Sequence, residues 1–302
     1  MSSRGGKKAT AREHAAQLRA AQLRAERRRR LLFAGAAVAL VVAVVAGLII
    51  AKLSGVGAST PPAAASGLTS SQIAADLASV PAATLNKIGV GSAQGGPQKI
   101  TAPALTDAGK PKVLYVGAEY CPYCAAERWP VVVALSRFGT FTNLGVTSSA
   151  GNDVYPNTPT LSFHGATYHS QYLSFTGVET TSNTLVNGGY APLDPLTPAD
   201  QQTFSTYDQP PYVTGQAGSI PFVDIAGKYV SSGATYSPQL LHGLSQAQVA
   251  AELKNPSSQI AQAVDGSANL FTAALCQATG NKPANVCTAP GVAAALAHLG
   301  KA

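Results

Sequence analysis

An unbroken apolar run comes first along the chain. Leu31 to Ala51 reads LLFAGAAVALVVAVVAGLIIA, 21 residues with no charged or polar side chain. As a helix rising about 1.5 Å per residue, it spans about 30 Å, the hydrocarbon thickness of a bilayer. A buried core helix would show a polar face. A signal peptide usually has an apolar region of only about 7–15 residues. The run is therefore read as one uncleaved transmembrane helix over 31–51. Ala63, Ala64 and Ala65 mark where cleavage would fall in the alternative.

Beyond it the pattern is shorter and periodic. Residues 52–67 contain SGVGASTPPAAAS, small and uncharged, and read as a flexible spacer. SSQIAADLASV places Ile73, Leu77 and Val80 at helical spacing. GVGSAQGGPQ reads as loop. KVLYVG, between Pro111 and Gly117, is a continuous β-prone run and predicts a strand buried on both faces. AEYCPYCAAERWPVVVALSRF then turns helical, with Trp129, Val132 and Val133 on its apolar side. LSFHGATY and YLSFTGVE predict two strands, paired as a hairpin. PADQQTFSTYD predicts a short helix, SIPFVDIAGKYV a strand, and the segment after Gly233 an edge strand. LSQAQVAAELKN and the Ala-rich stretch from Ser258 onward predict helices.

Charge changes the picture at one end only. The chain of 302 residues has a formal net charge of +7. Residues 1–30 carry +8 of it, and residues 31–302 sum to −1. The basic surplus therefore belongs to a tail and gives no argument for a nucleic-acid partner. Arg27, Arg28, Arg29 and Arg30 abut the apolar run, while Lys52 alone flanks its far side. The positive-inside rule then keeps residues 1–30 in the cytosol and sends residues 52–302 outside the membrane, with 68–302 as the extracytoplasmic domain.

The candidate chemistry lies at Cys121 and Cys124, where a predicted strand gives way to a predicted helix. A Cys-x-x-Cys pair serves zinc sites, haem attachment and redox pairs alike. Ala125 stands where haem attachment needs His, and Cys276 and Cys287 lack the spacing of a second zinc pair. Redox chemistry fits the position. A thiolate is the reacting species, and a helix N-terminus stabilises its charge. Cys121 is the expected exposed nucleophile and Cys124 the resolving thiol one turn on. Pro122 sits in the first turn, where its missing N–H costs nothing. Tyr120 and Tyr123 flank the pair, with roles in gating, substrate contact or packing. Glu119 and Glu127 would oppose a thiolate if close, or else are solvated surface charges. Ser219-Ile220-Pro221 before FVDI reads in isolation as a turn or the start of an edge strand.

VLYVGAEYCPYCAAERW, taken together with SIPFVDI, resembles the thioredoxin superfamily. The resemblance implies that Cys121 and Cys124 are the redox pair. It implies that Pro221 is the cis-proline, and that Ile220 packs against the disulfide and receives extended substrate chain. More narrowly, GAEYCPYCAAERWP, the N-terminal anchor and the late Cys pair resemble the membrane-anchored family known as domain of unknown function 929. That resemblance covers about residues 68–290. Tyr120 stands where thioredoxins usually have Trp, and Pro130 falls one place later than their helix proline.

The expected architecture is thus α/β: a thioredoxin-like domain with an enlarged middle insertion and extra C-terminal helices, preceded by one transmembrane helix. The expected activity is thiol–disulfide oxidoreduction on exported proteins, with an unidentified redox-recycling partner, no cofactor and no metal. The rival is a non-catalytic binding module in which Cys121–Cys124 is a structural bridge. Cys276 and Cys287 read as a structural disulfide closing a short loop. Trp129, the single Trp, is expected to pack the helix on the sheet, and His164 and His169 to be surface residues.

Overall fold

The structure, a computed structural model, describes residues 69–299. The tail (1–30), the apolar run (31–51) and the spacer (52–67) lie outside the described residues. Among the described residues no helix is long and apolar enough to cross a membrane.

Helix α1, Ser70–Ala78, opens with a capping box between Thr69 and Gln72 and buries Ile73 and Leu77 one turn apart. Helix α2, Ala82–Ile88, was not marked by any strong periodicity; Pro81 starts it and Gly89 ends it. Short strands β1, Gln98–Lys99, and β2, Thr106–Asp107, precede β3, Lys110–Gly117. Helix α3, Pro122–Ser136, follows at once. The middle of the chain forms β4 (Thr140–Thr142), β5 (Gly145–Ser148), β6 (Pro159–Ser162), β7 (Thr167–His169), β8 (Ser174–Glu179), β9 (Thr181–Val186) and β10 (Gly189–Pro192). Then come α4 (Pro198–Tyr207), β11 (Phe222–Ile225), β12 (Tyr229–Ser232), α5 (Gln246–Glu252), α6 (Gln259–Ala278), α7 (Ala284–Cys287) and α8 (Pro290–Leu296).

This is a mixed α/β fold around one main sheet. Its order is β1-β12-β11-β3-β2, and β8 also pairs with β3. Strand β8 runs parallel to β3 from Lys112↔Ser174 to Gly117↔Glu179, and β11 runs antiparallel to it. The run KVLYVG is continuously apolar because both faces of β3 are covered. Val113 and Tyr115 join the cluster of α3 and α6 side chains, with Trp129 and Phe271. Leu114 and Val116 join the opposite cluster, under Phe204 and Tyr207 of α4. Helix α6 is buried on almost every side. Its Gly266 has a packing reason: a Cβ there would stand 2.3 Å from the Val90 carbonyl oxygen. Asn269 on the same helix donates to the Leu85 and Gly89 carbonyls at 2.8 and 2.7 Å, tying α6 to the C-terminal end of α2. Cys276 and Cys287 form the disulfide read from the sequence, joining α6 to α7.

Three expectations change. The segments LSFHGATY and YLSFTGVE do not form a hairpin with each other. β6 pairs with β5, β7 with β4, and β8 leaves for the main sheet beside β3. YLSFTGVE contains one strand, β8, but LSFHGATY is broken by a turn at His164-Gly165 between the end of β6 and the start of β7, and the pairing of these strands is set by contacts distant in sequence. Strand β3 also does not stop at Pro111. It starts at Lys110, and Pro111 sits at its first pairing with β2, where one missing donor is tolerated. After Gly233 there is no edge strand. Strand β12 ends at Ser232 and a short 3₁₀ turn covers Pro238–Leu241.

Candidate active site

Strand β3 delivers the chain to the N-terminus of α3, and the turn between them carries the cysteines. Cys121 is the N-cap of α3 and its own sulfur is the cap: the Cys124 N–H donates to Sγ at 3.2 Å. Pro122 occupies the first helical position, where no N–H is needed. The preceding backbone is tied on two sides. The Glu119 N–H donates to Thr181 O of β9, and the Ala150 N–H to Tyr120 O, each at 2.9 Å.

Strand β11 brings the second half. Its approach, Ile220–Pro221, has a cis peptide bond, and the Cys121 thiol donates to the Ile220 carbonyl at 3.8 Å. The structure therefore brings together Cys121, Cys124, Ile220 and Pro221, four residues named from sequence, across a separation of 99 positions. Both cysteines are free thiols. Tyr120 is half-buried, with its ring stacked on Tyr190 of β10 at 4.3 Å between centroids. Tyr123 is exposed and meets the Tyr155 ring edge-on.

One expectation about Cys121 is corrected. It is not an exposed residue: only 6% of its surface is accessible. The Ile220 carbonyl and the first turn of its own helix cover most of it. Cys124 is fully buried. The two thiols are accordingly unlike. A hydrogen bond from the Cys124 thiol lowers Cys121 from the ordinary cysteine value against the opposing effect of burial. The Cys124 backbone N–H and Arg128 add to the lowering. Burial pushes Cys124 well up, and its hydrogen bond to Cys121 reinforces that. The two thiols are thus shifted in opposite directions, Cys121 down and Cys124 up.

Beneath the pair lies a charged layer that sequence reading did not find. Arg128 and Glu179 are both fully buried. The Arg128 Nε and Nη2 donate to the two Glu179 oxygens at 2.8 and 2.5 Å, and Nη2 also donates to Ala118 O at 2.7 Å. Burial, with Glu119 adding to it, pushes Glu179 upward against the lowering by Arg128 and the Phe163 N–H. The fork of two guanidinium donors and a third from the Phe163 N–H at 3.2 Å are what a carboxylate requires, so the pair is ionic. Glu127 is a further correction: it is no surface charge. Its Oε2 accepts from the Thr235 N–H and hydroxyl, both at 2.8 Å, and burial raises its pKa to about 7. The only available signal was a charged dipeptide, Glu127-Arg128, inside an otherwise apolar helical run.

Helix α3 is held in place by polar contacts as well as packing. Pro130 cannot donate to the Ala126 carbonyl, and the Tyr236 hydroxyl does so instead at 2.7 Å. Trp129 is fully buried and its indole N–H donates to Pro159 O at 3.0 Å, so it packs the helix against β6. His164 and His169 are exposed, as read, with His164 against Asp194 at 2.7 Å. Among the described residues no group of three or more His, Cys, Asp or Glu could hold a metal ion. Two surface cavities of about 630 and 680 Å³ lie elsewhere, around Phe141 and Tyr168, and neither includes a site cysteine.

Fold and site together define a mixed α/β protein with a Cys-Pro-Tyr-Cys pair at a helix N-terminus, facing a cis-proline. Residues 97–277 match the family described as Domain of unknown function (DUF929), and the chain belongs to that family. The matched region runs from just before β1 to the last turn of α6 and so contains every residue of the site. No curated protein and no solved structure matches the chain.

Proposed function

We propose that this protein is a membrane-anchored, extracytoplasmic thiol–disulfide oxidoreductase with a thioredoxin-like domain. One observation carries the reading: the Cys121 sulfur caps α3 and lies 3.8 Å from the carbonyl that precedes Pro221. A helix N-terminus favours the thiolate. The adjoining segment, half-buried at Ile220, offers backbone to an extended chain. The parallel β3–β8 pair and antiparallel β11 support the thioredoxin-like reading, with β4 to β7 as the enlarged middle insertion.

In the reducing direction, the Cys121 thiolate attacks one sulfur of a substrate disulfide. The other substrate sulfur leaves as a thiolate and takes up a proton. Cys124 then loses its proton to solvent and attacks the Cys121 sulfur. A Cys121–Cys124 disulfide forms and the second substrate sulfur departs. Two electrons pass to the substrate, and a dithiol carrier returns them. With an oxidised pair and a substrate dithiol the same steps run backward. The apolar run at 31–51 and the Cys276–Cys287 disulfide support an anchored protein in an oxidising compartment.

The low exposure of Cys121 favours a second reading, a binding module whose thiols do not turn over. The two part on a trapping experiment. Cys124→Ser leaves a mixed disulfide on Cys121 with no resolving thiol. Non-reducing gels of cells carrying this variant should show adducts that vanish with reductant and with Cys121→Ser. A lane free of adducts would favour the module.

A further inference from the structure

The resolving step poses an electrostatic problem that the buried layer answers. Once a substrate is bonded to Cys121, that sulfur carries no charge, and the negative charge must form on Cys124. Cys124 is fully buried, and burial opposes its thiolate. The titratable groups around it come from three elements and the turn before α3. Its own helix supplies Cys121, Glu127 and Arg128; the turn supplies Tyr120, a phenol whose pKa burial raises; β3 supplies Tyr115; β8 supplies Glu179. The Ile220–Pro221 segment supplies none. Tyr115 is a neutral phenol, held so by burial. Glu127 is turned toward Thr235.

Arg128 is the cation of this set. It stands one helical turn after Cys124, on the same face of α3. Ala118 connects the two: its carbonyl accepts from Arg128 Nη2 at 2.7 Å, while its N–H favours the Cys124 thiolate. Arg128 Nη1 is buried with no partner among the protein groups, so Glu179 does not use up the guanidinium. Glu179 Oε1 accepts from the Phe163 N–H as well as from Arg128 Nε. We infer that Arg128 is a positioning residue for the resolving step: its buried guanidinium supports negative charge on the Cys124 sulfur, and Glu179 sets how much of that field the sulfur receives. This rests on the thiol–disulfide reading above and deepens it.

A buried ion pair can also serve packing alone, and the sign of two substitutions separates the roles. The experiment uses the full chain with Cys121→Ser, which mimics the uncharged mixed disulfide and leaves Cys124 as the free thiol. The Cys124 titration is followed by NMR of cysteine labelled at the β-carbon. Arg128→Gln should raise the midpoint by about one pH unit or more, and Glu179→Gln should lower it by a similar amount, the size expected of a charge within a few ångströms. Loss of a purely structural pair would move both midpoints the same way or neither, and either result overturns the inference. Should Arg128→Gln not fold, Glu179→Gln decides alone. That isosteric variant keeps an acceptor for Arg128, and a midpoint that stays or rises refutes the role. Opposite shifts in a chain that traps no substrate keep the charge assignment and remove the enzyme; trapping without the shifts does the reverse.

Discussion

Glu127 is a carboxyl with one satisfied oxygen and one orphan, Oε1, inside the protein. Its pKa rises from 4.5 to about 7 on burial. Between those two pH values the folded chain holds a proton that the unfolded chain has lost, so stability falls as pH rises through the interval. Glu127→Gln keeps an acceptor for Thr235 and has no charge to bury. It should stabilise the protein at pH 7 by about 2 kcal/mol and flatten the pH profile between about 4.5 and 7. Urea melts at several pH values measure this, and an unchanged profile would show that Glu127 is not the titrating group. The contrast with the cysteines shows which residues are legible in a sequence. Cys121, Pro122 and Cys124 form a local motif, readable from spacing and helix-end electrostatics. Arg128 and Glu179 lie 51 positions apart, and neither residue names its partner. The burial of Cys121 was missed for the same reason, because its cover comes from Ile220.

Elements were legible where periodicity was strong and both faces were covered. β3 and α3 follow from local pattern, while the capping boxes of Thr69 with Gln72 and Ser245 with Gln248 emerge only in the structure. Helix α2 escaped notice because its seven residues are too few to establish a period. The late disulfide is an element-scale device. It fastens the C-terminal end of α6 to α7, just beyond the helix that packs along α3. Replacing Cys276 and Cys287 together by Ala should lower stability by about 3 kcal/mol while leaving the Cys121–Cys124 thiols reactive. Paired urea melts and thiol counts check both parts. An unchanged midpoint would mean that the loop is held equally well by packing around Val286.

At the scale of the whole molecule, the class α/β and the strand–helix unit were readable, while the arrangement of the middle region was not. Strands β4 to β7 form short ladders whose partners lie apart in sequence, whereas β9 and β10 form a local hairpin over Asn187-Gly188. Alternation reports that a segment is a strand but carries no information on which edge it joins. The division of labour between sheet faces follows from the observed pairing. One face of β3 buries α3 and α6 and fixes the helix that carries Cys121 and Cys124; the other carries α4 and the approach to Pro221. Both halves of the site thus depend on a single strand pair, β3 with β11, whose register sets Phe222 against Val116.

The most direct measurement is a redox titration of the Cys121–Cys124 pair in the purified chain, with Cys276–Cys287 intact. A thiol stabilised at a helix end beside a buried partner should give one reversible two-electron transition between about −120 and −270 mV, abolished by Cys121→Ser. A pair that stays oxidised below about −300 mV, or that never forms a disulfide, would contradict a working redox centre.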